Sequence, residues 1–122
     1  MLKNKWYLVC PSDKLKNIIV KKRILGEDII LFRSQEGEII ALEDRCCHRN
    51  VNLSLGYLND NTIVCGYHGW EYDKTGKCVK IPSQDQGDKI PPTAKIKSYP
   101  TKDFNKWVWI FIGDEENSKI IN

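Results

Sequence analysis

The sequence predicts an all-β protein built from antiparallel sheets, and three features of the chain support this class. Short segments rich in β-branched and aromatic residues recur along its length, as in strands. Turn-forming Gly, Pro, Asn and Asp residues separate these segments at short intervals. No segment has the convincing spacing of an amphipathic helix. A chain of 122 residues can bury one core, so we expect a single domain covering residues 1–122.

The first half of the chain is predicted to form an antiparallel meander. Its strands are expected at 6–10, 17–25, 29–33 and 38–42. Pro11 ends the first of these segments and Gly26 ends the second. Residues 34–37, Ser-Gln-Glu-Gly, separate the last two and place Gly where a hairpin loop favours it.

The second half continues with short strands, which are expected at 55–58, 62–65, 70–72, 77–79, 96–99 and 107–112. Asn59–Asn61 and Asp73–Gly76 are strong turn signals between neighbouring segments. Residues 83–92 are polar and flanked by prolines, which indicates a surface loop, and residues 113–122 form a polar tail. The segment 107–112 is nearly continuous in apolar residues, so we expect it to be buried on both faces.

Composition excludes several classes of function. The net charge is +3 and the charges are scattered, with Lys21–Arg23 as the only basic run, so we expect no nucleic-acid partner. The N-terminal residues contain no long apolar run, which argues against a signal peptide or membrane span. Five cysteines without a regular framework favour a reducing compartment over a disulfide scaffold. We therefore expect a cytoplasmic protein with no membrane association.

The chemistry of the chain concentrates in two short motifs. Cys46 and His48 form a C-x-H pair, and Cys65 and His68 form a C-x-x-H pair sixteen residues further on. These are the only two histidines of the protein. Two thiolates and two imidazoles make a four-ligand site for iron or zinc. The motifs therefore predict a metal centre built from two loops.

The order of Cys and His within each loop favours a 2Fe-2S cluster over a structural zinc site. A structural zinc site with two cysteines and two histidines is the alternative, but zinc sites usually pair like ligands within each loop. Here each loop offers one Cys and one His. In a 2Fe-2S cluster with two cysteines on one iron and two histidines on the other, each loop reaches both irons. The mixed loops therefore indicate a two-iron cluster, one per chain.

The two motifs and the segments around them resemble those of a known family. The chain resembles the Rieske domain of ring-hydroxylating and demethylating oxygenases and Rieske-type ferredoxins. The segments that carry the resemblance are 44–49, 53–56, 64–73, 76–77 and 81–83, with further matches at 6–7, 90–92, 98–100 and 108–110. The resemblance implies the Rieske iron–sulfur fold, a partial barrel of antiparallel sheets with a two-loop cluster-binding subdomain at about residues 44–82.

The same resemblance implies roles for the ligands. Cys46 and Cys65 correspond to the ligands of the buried iron, and His48 and His68 to those of the outer iron, whose imidazole edges face solvent. No residue is implied to be catalytic.

The chain departs from the family at two positions, since the family often has Pro where Cys47 and Gly66 stand. Cys47 is expected to be a bystander thiol, because the C-x-H spacing favours Cys46 as the ligand. Cys10 and Cys78 fall on predicted strands and are interpreted as small buried hydrophobic residues.

The ligand set indicates a one-electron carrier. Neutral imidazoles make such a cluster easier to reduce than a four-cysteine cluster, at about −150 to +300 mV against about −400 mV. High-potential Rieske proteins of cytochrome bc complexes carry a Ser and two extra Cys residues where this chain has Trp70, Val51 and Tyr67. We therefore expect a potential at the low end of that range.

Three hypotheses for function remain open. No histidine follows His68, so the two-histidine, one-carboxylate iron site of an oxygenase cannot be built here. The first hypothesis is a free-standing ferredoxin between a reductase and a terminal oxygenase. The second is the N-terminal domain of an oxygenase, and the third is a non-redox binding module on the same fold. The oligomeric state is left open.

Overall fold

The structure, a computed structural model, describes residues 4–47, 51–84, 87–114 and 118. The eleven strands found there are β1 (Lys5–Pro11), β2 (Val20–Ile24), β3 (Glu27–Arg33), β4 (Ile39–Glu43), β5 (Tyr57–Asn59), β6 (Thr62–Val64), β7 (Glu71–Tyr72), β8 (Cys78–Lys80), β9 (Ser98–Tyr99), β10 (Thr101–Phe104) and β11 (Trp107–Ile112). Within the described ranges 4–47, 51–84 and 87–114, helical structure is limited to single 3-10 turns at Ser12–Lys14 and Leu53–Leu55. The all-β prediction is confirmed.

The strands form three sheets, and each strand pairs antiparallel with its neighbours. The first sheet has the order β1-β11-β10, the second β2-β3-β4-β9 and the third β5-β6-β7-β8. The first sheet joins the two ends of the chain, since β1 pairs with β11. None of the helical turns in the described ranges is long and apolar enough to cross a membrane.

Most predicted strands are present, with boundaries shifted by a few residues. The second predicted strand, 17–25, is shorter at Val20–Ile24. Asn17 has a positive φ of 53°, so the chain turns at this residue and cannot be extended there. The predicted strand 96–99 is likewise reduced to Ser98–Tyr99. Instead, Ile96 donates its backbone N–H to the carbonyl of Gly76, at 2.8 Å.

The closing strands differ from the prediction in two ways. Strand β10 was not predicted, because its residues Thr-Lys-Asp-Phe carry no clear apolar alternation and the strand forms by pairing with β11. Strand β11 is buried along one face but only in part on the other, where Phe111 is 2% exposed while Trp107 is 40% exposed and Trp109 is partly exposed. This three-stranded sheet covers the core with one face only. On the other face, the ammonium of Lys102 lies 4.3 Å from the centre of the Trp6 ring.

Buried side chains form two clusters. One lies between the first and second sheets and contains Leu15, Ile29, Val108 and Ile110. The other joins the second sheet to the third and contains, among others, Ile30, Phe32, Leu42, Ile63, Tyr72, Cys46 and Cys65. This second cluster, which we call the joining core, holds the third sheet against the rest of the protein. It also places both predicted cysteine ligands at one location.

Candidate metal centre

The two motif loops extend from different sheets. Cys46 follows β4 of the second sheet, and Cys65 follows β6 of the third. At its far end the first loop leads into β5, and the second loop leaves β6, with which β5 pairs antiparallel. The two loops meet through the joining core, to which both cysteines belong.

The first loop is closed by hydrogen bonds across its base. The N–H of Cys46 donates to the carbonyl of Val51 at 2.7 Å. The buried carboxylate of Asp44 accepts the backbone N–H of Ser54 at 2.7 Å and its hydroxyl at 2.9 Å. These bonds hold the entry and exit of the loop together. His48, one of the four predicted ligands, lies outside the described residues.

The second loop is a tight turn around Cys65. The N–H of Cys65 donates to the carbonyl of Trp70 at 2.8 Å, and the N–H of Gly69 donates to the carbonyl of Cys65 at 3.0 Å. Gly69 has a φ of 74°, a conformation that glycine adopts without strain. The turn also directs the backbone N–H groups of Tyr67 and His68 to the Cys65 sulfur.

Glycines allow the third sheet to approach this loop closely. A Cβ on Gly56 would overlap the carbonyl oxygen of Val64, and a Cβ on Gly66 would lie 3.0 Å from the carbonyl oxygen of Leu55. Backbone therefore packs on backbone beside the second motif. Gly56 has an ordinary φ of −92°, so close approach is the reason for glycine here.

The thiols of Cys46 and Cys65 face each other within the joining core. Both are buried, with Cys46 0% and Cys65 2% exposed. Burial raises the pKa of Cys65 and so does the neighbouring Cys46 thiol, while the N–H groups of Tyr67 and His68 act in the opposite direction. Among the described residues, no three Cys, His, Asp or Glu side chains converge as the ligands of a single metal ion do.

Tyr72 is a site residue that the sequence analysis did not identify. Its side chain is fully buried. Its hydroxyl oxygen lies 3.2 Å from the sulfur of Cys46 and 3.2 Å from that of Cys47, and it accepts the N–H of Cys47 at 3.0 Å. Burial, followed by the hydrogen bonds with the two thiols, raises the pKa of Tyr72 above its usual value, so the hydroxyl keeps its proton. The available signal was a tyrosine two residues after Trp70, on the strand predicted at 70–72, directly after the second motif.

His68 lies at the protein surface. Its ring is tilted against that of Tyr67, with the ring centres 4.0 Å apart, and both residues are exposed. Leu55 and Tyr57, which adjoin Gly56, are 77% and 60% exposed. The site therefore has a buried thiol side and an exposed imidazole side.

The remaining cysteines are packed as expected. Cys10 is buried in the core between the first and second sheets, and Cys78 is buried in the joining core. Burial raises the pKa of the Cys78 thiol to about 11. Trp70 packs against the joining core.

Comparison with known proteins identifies relatives along the whole chain. A family model described as "Rieske [2Fe-2S] domain" matches residues 5–100. The chain is 38% identical over 114 residues to the iron-sulfur subunit of a toluene-4-sulfonate monooxygenase system from Comamonas testosteroni, covering 93% of this chain and 32% of that protein. It is 36% identical to the oxygenase subunit of a vanillate O-demethylase from a Pseudomonas species, covering 93% of this chain and 31% of the relative.

Two solved structures also superpose on this chain over nearly its whole length. The structure of dicamba monooxygenase bound to dicamba superposes with a TM-score of 0.90 at 30% identity, covering 100% of this chain and 37% of that one. NdmA from Pseudomonas putida CBB5 superposes with a TM-score of 0.88 at 28% identity, covering 99% of this chain and 38% of that one. The chain thus spans about a third of the length of the curated relatives it matches.

Proposed function

The chain belongs to the Rieske [2Fe-2S] domain family, and on that basis we propose that it transfers single electrons through a low-potential 2Fe-2S cluster as a ferredoxin-like component of an oxygenase system. Its relatives include components of oxygenase systems, among them the iron-sulfur subunit of a monooxygenase system and the oxygenase subunit of a demethylase. The partners would be a reductase, a terminal oxygenase or both. A cytoplasmic location remains part of the proposal.

The described residues fit the buried half of such a cluster. Two facing thiols lie in an apolar core. The Cys65 sulfur has hydrogen bonds from backbone N–H groups, and the Cys46 sulfur has one with the Tyr72 hydroxyl, so negative charge on either sulfur would be stabilised. A thiolate in an apolar environment requires such donors. We therefore assign Cys46 and Cys65 to the buried iron, His48 and His68 to the outer iron, and the cluster-binding subdomain to about residues 44–82.

When bound, the cluster supplies a one-electron couple between its oxidised and reduced forms. The chain would shield the cysteine side of the cluster from water and leave the histidine side accessible to a partner protein. The joining core excludes water from the side of Cys46 and Cys65, whereas exposed His68 offers a short path for an electron to a docked partner. Leu55 and Tyr57 provide apolar surface nearby. The observation that carries the proposal is this paired arrangement of buried thiols and an exposed imidazole.

The potential is proposed to lie at the low end of the Rieske range. Trp70 stands where a high-potential protein has a hydroxyl donor, which removes one hydrogen bond that would stabilise the reduced cluster. Tyr72 supplies one hydroxyl donor near Cys46 and raises the potential in part.

The length of the relatives favours a second candidate, the N-terminal Rieske domain of a mononuclear-iron oxygenase. The chain covers 32% and 31% of the two relatives above, one of which is an oxygenase subunit. Immunoblotting of cell extract from the source organism separates the candidates. A carrier runs near the 14.2 kDa of this chain, whereas an oxygenase runs at roughly three times that mass.

The first experiment is EPR of the anaerobically purified, dithionite-reduced protein, with iron and zinc quantified on the same sample. An anisotropic signal with an average g below 2, at two irons per chain, supports the carrier. Reversible uptake of one electron per chain in a redox titration extends that support to electron transfer. Zinc alone, or a colourless protein without iron, would overturn the proposal and favour a non-redox binding module.

A further inference from the structure

The outer face of the first sheet is largely aromatic. Its inner face supplies Val108 and Ile110 to the core beneath it. Because side chains alternate along a strand, Trp107, Trp109 and Phe111 lie on the other side. Cross-strand pairing adds four residues, and we call the whole set the aromatic face: Trp6 and Leu8 of β1, Lys102 and Phe104 of β10, and Trp107, Trp109 and Phe111 of β11. It holds three of the four tryptophans of the chain.

The aromatic face exposes several large apolar side chains together. Leu8 is 49%, Phe104 is 56% and Trp107 is 40% exposed. A group of such residues on one face marks an interaction site, whereas apolar residues exposed singly do not. Small-molecule sites are concave, but the face of a sheet is open, which favours a protein partner over a small ligand. Aromatic residues are also enriched in protein interfaces.

Lys102 is the cation of this face. Its ammonium lies 4.3 Å from the centre of the Trp6 ring, 5.8 Å from that of Phe104 and 6.0 Å from that of Trp109. No carboxylate of a described residue forms an ion pair with it. Asp103, the next residue, belongs to the opposite side of β10 and pairs with an arginine. A positive charge among aromatic rings is complementary to a carboxylate on a partner.

Trp109 has a hydrogen bond still to be made. Its indole N–H is buried, and no described atom accepts a hydrogen bond from it. A buried donor without an acceptor costs about 1–3 kcal/mol, so such groups are rare in folded proteins. Lys102 lies directly opposite Trp109 on β10, and its flexible side chain can move to open the indole to a partner. One carboxylate at this place would satisfy both groups, because it accepts through two oxygens.

We propose that the aromatic face is the docking surface for a separate protein, whose contact patch presents an Asp or Glu carboxylate among apolar side chains. This carboxylate binds the Lys102 ammonium and accepts the Trp109 indole N–H. A second copy of the chain is a poorer occupant, because its own aromatic face would bring a second cation and no carboxylate.

Docking at this face goes beyond the proposed electron transfer. Strand β3 sends Ile29 and Leu31 to the core under the first sheet, and Ile30 and Phe32 to the joining core. The aromatic face and the candidate metal centre therefore lie on opposite sides of the second sheet. A protein bound at the aromatic face leaves His68 accessible to a redox partner, and its binding does not require the cluster.

The test is carbodiimide cross-linking of the intact, purified protein in extract of the source organism. The reagent joins a lysine amine to a carboxylate in contact with it, and mass spectrometry of the linked peptides identifies both residues. We expect Lys102 to be joined to an Asp or Glu of one other protein, and Lys22, exposed on β2, not to be. Lys102→Arg keeps the charge without a reactive amine, so it should lose the cross-link and still bind the partner.

Binding of the partner identified in this way tests the two contacts separately. Lys102→Glu should weaken binding at least about tenfold, because it sets a negative charge against the partner carboxylate. Trp109→Phe keeps a ring but removes the N–H, and it should also weaken binding about tenfold. Lys22→Glu is the matched control and should leave affinity unchanged. Lys102→Glu, a surface change, remains informative if Trp109→Phe does not fold.

Four outcomes would overturn the proposal. The first is no cross-link at Lys102 beyond that at Lys22, and the second is unchanged affinity in Lys102→Glu. The third is linkage of Lys102 to a second copy of this chain, at twice its mass. The fourth is linkage within one longer chain that contains this domain. Failure of the proposed function is distinguishable from these, because the wild-type protein would then lack the cluster and its EPR signal whatever the cross-linking result.

Discussion

The Asp44 carboxylate accepts two hydrogen bonds from Ser54, one from the backbone N–H at 2.7 Å and one from the hydroxyl at 2.9 Å. Asn52 donates a third to the same carboxylate at 3.3 Å. The Asp44 side chain is fully buried, so it is a fixed anchor and not a surface contact. These hydrogen bonds join Asp44, two residues before Cys46, to residues after the first motif and so close the loop at its base.

Asp44→Asn should loosen this loop. An amide cannot accept from both Ser54 donors as a carboxylate does, and an unsatisfied buried donor costs about 1–3 kcal/mol. We expect a loss of unfolding free energy of that size in urea and a lower iron content per chain. Asp13→Asn, at an exposed position, is the control. Equal stability and iron content in the two variants would contradict the anchoring role.

Gly76 and Gly37 form a matched pair for a backbone test. Both have a φ of 89°, but a Cβ on Gly76 would overlap the carbonyl oxygen of Ile96, whereas a Cβ on Gly37 would meet nothing within 4 Å. Each alanine variant bears the left-handed strain of about 1–2 kcal/mol. Gly76→Ala should lose at least about 1 kcal/mol more, since backbone must move. Urea midpoints measure the difference, and indistinguishable midpoints would refute the close approach.

Ligand and non-ligand cysteines should respond differently to serine. Cys65→Ser is expected to reduce iron from two per chain to about none, because serine replaces the soft thiolate ligand. Cys78→Ser, also buried in the joining core, should keep the iron and lose only stability. Iron content and the EPR signal are the measurements. Retention of a normal cluster in Cys65→Ser would remove this residue from the ligand set.

Asp103 should make stability depend on pH in acid. The hydroxyl of Ser12 at 2.5 Å, and then the Arg33 guanidinium at 3.3 Å, hold the pKa of Asp103 below its ordinary value of 3.8. A depressed folded-state pKa stabilises the protein above the unfolded-state value, and this stability is lost as the pH falls through the folded-state pKa. We therefore expect the wild type to lose stability below about pH 4.

Asp103→Asn removes the carboxylate and should reduce that acid dependence, while Ser12→Ala should reduce it in part. Urea midpoints between pH 3 and pH 6, followed by circular dichroism, measure the change. Parallel pH profiles for all three proteins would show that Asp103 does not contribute.

Much of the fold could be predicted from local patterns. Strand β11 begins and ends where its apolar run does, and the turn at 34–37 forms with Gly37 at positive φ. Strand β10 could not be found in this way, because its four residues have no pattern of their own and adopt strand geometry by pairing with β11. The two-sided burial expected for β11 was met only in part, at Phe111, because an apolar run does not reveal how many sheets will cover it.

The candidate site was likewise predictable from the sequence in part. The sequence alone determined the two Cys/His motifs, their spacing and the family, because these motifs hold every histidine of the chain and three of its five cysteines. Only the tertiary structure decided that Cys46 and Cys65 meet from different sheets, and that Tyr72 lies beneath Cys46 and Cys47. Such contacts join residues far apart in sequence, and they depend on how the joining core packs rather than on any local preference of the chain.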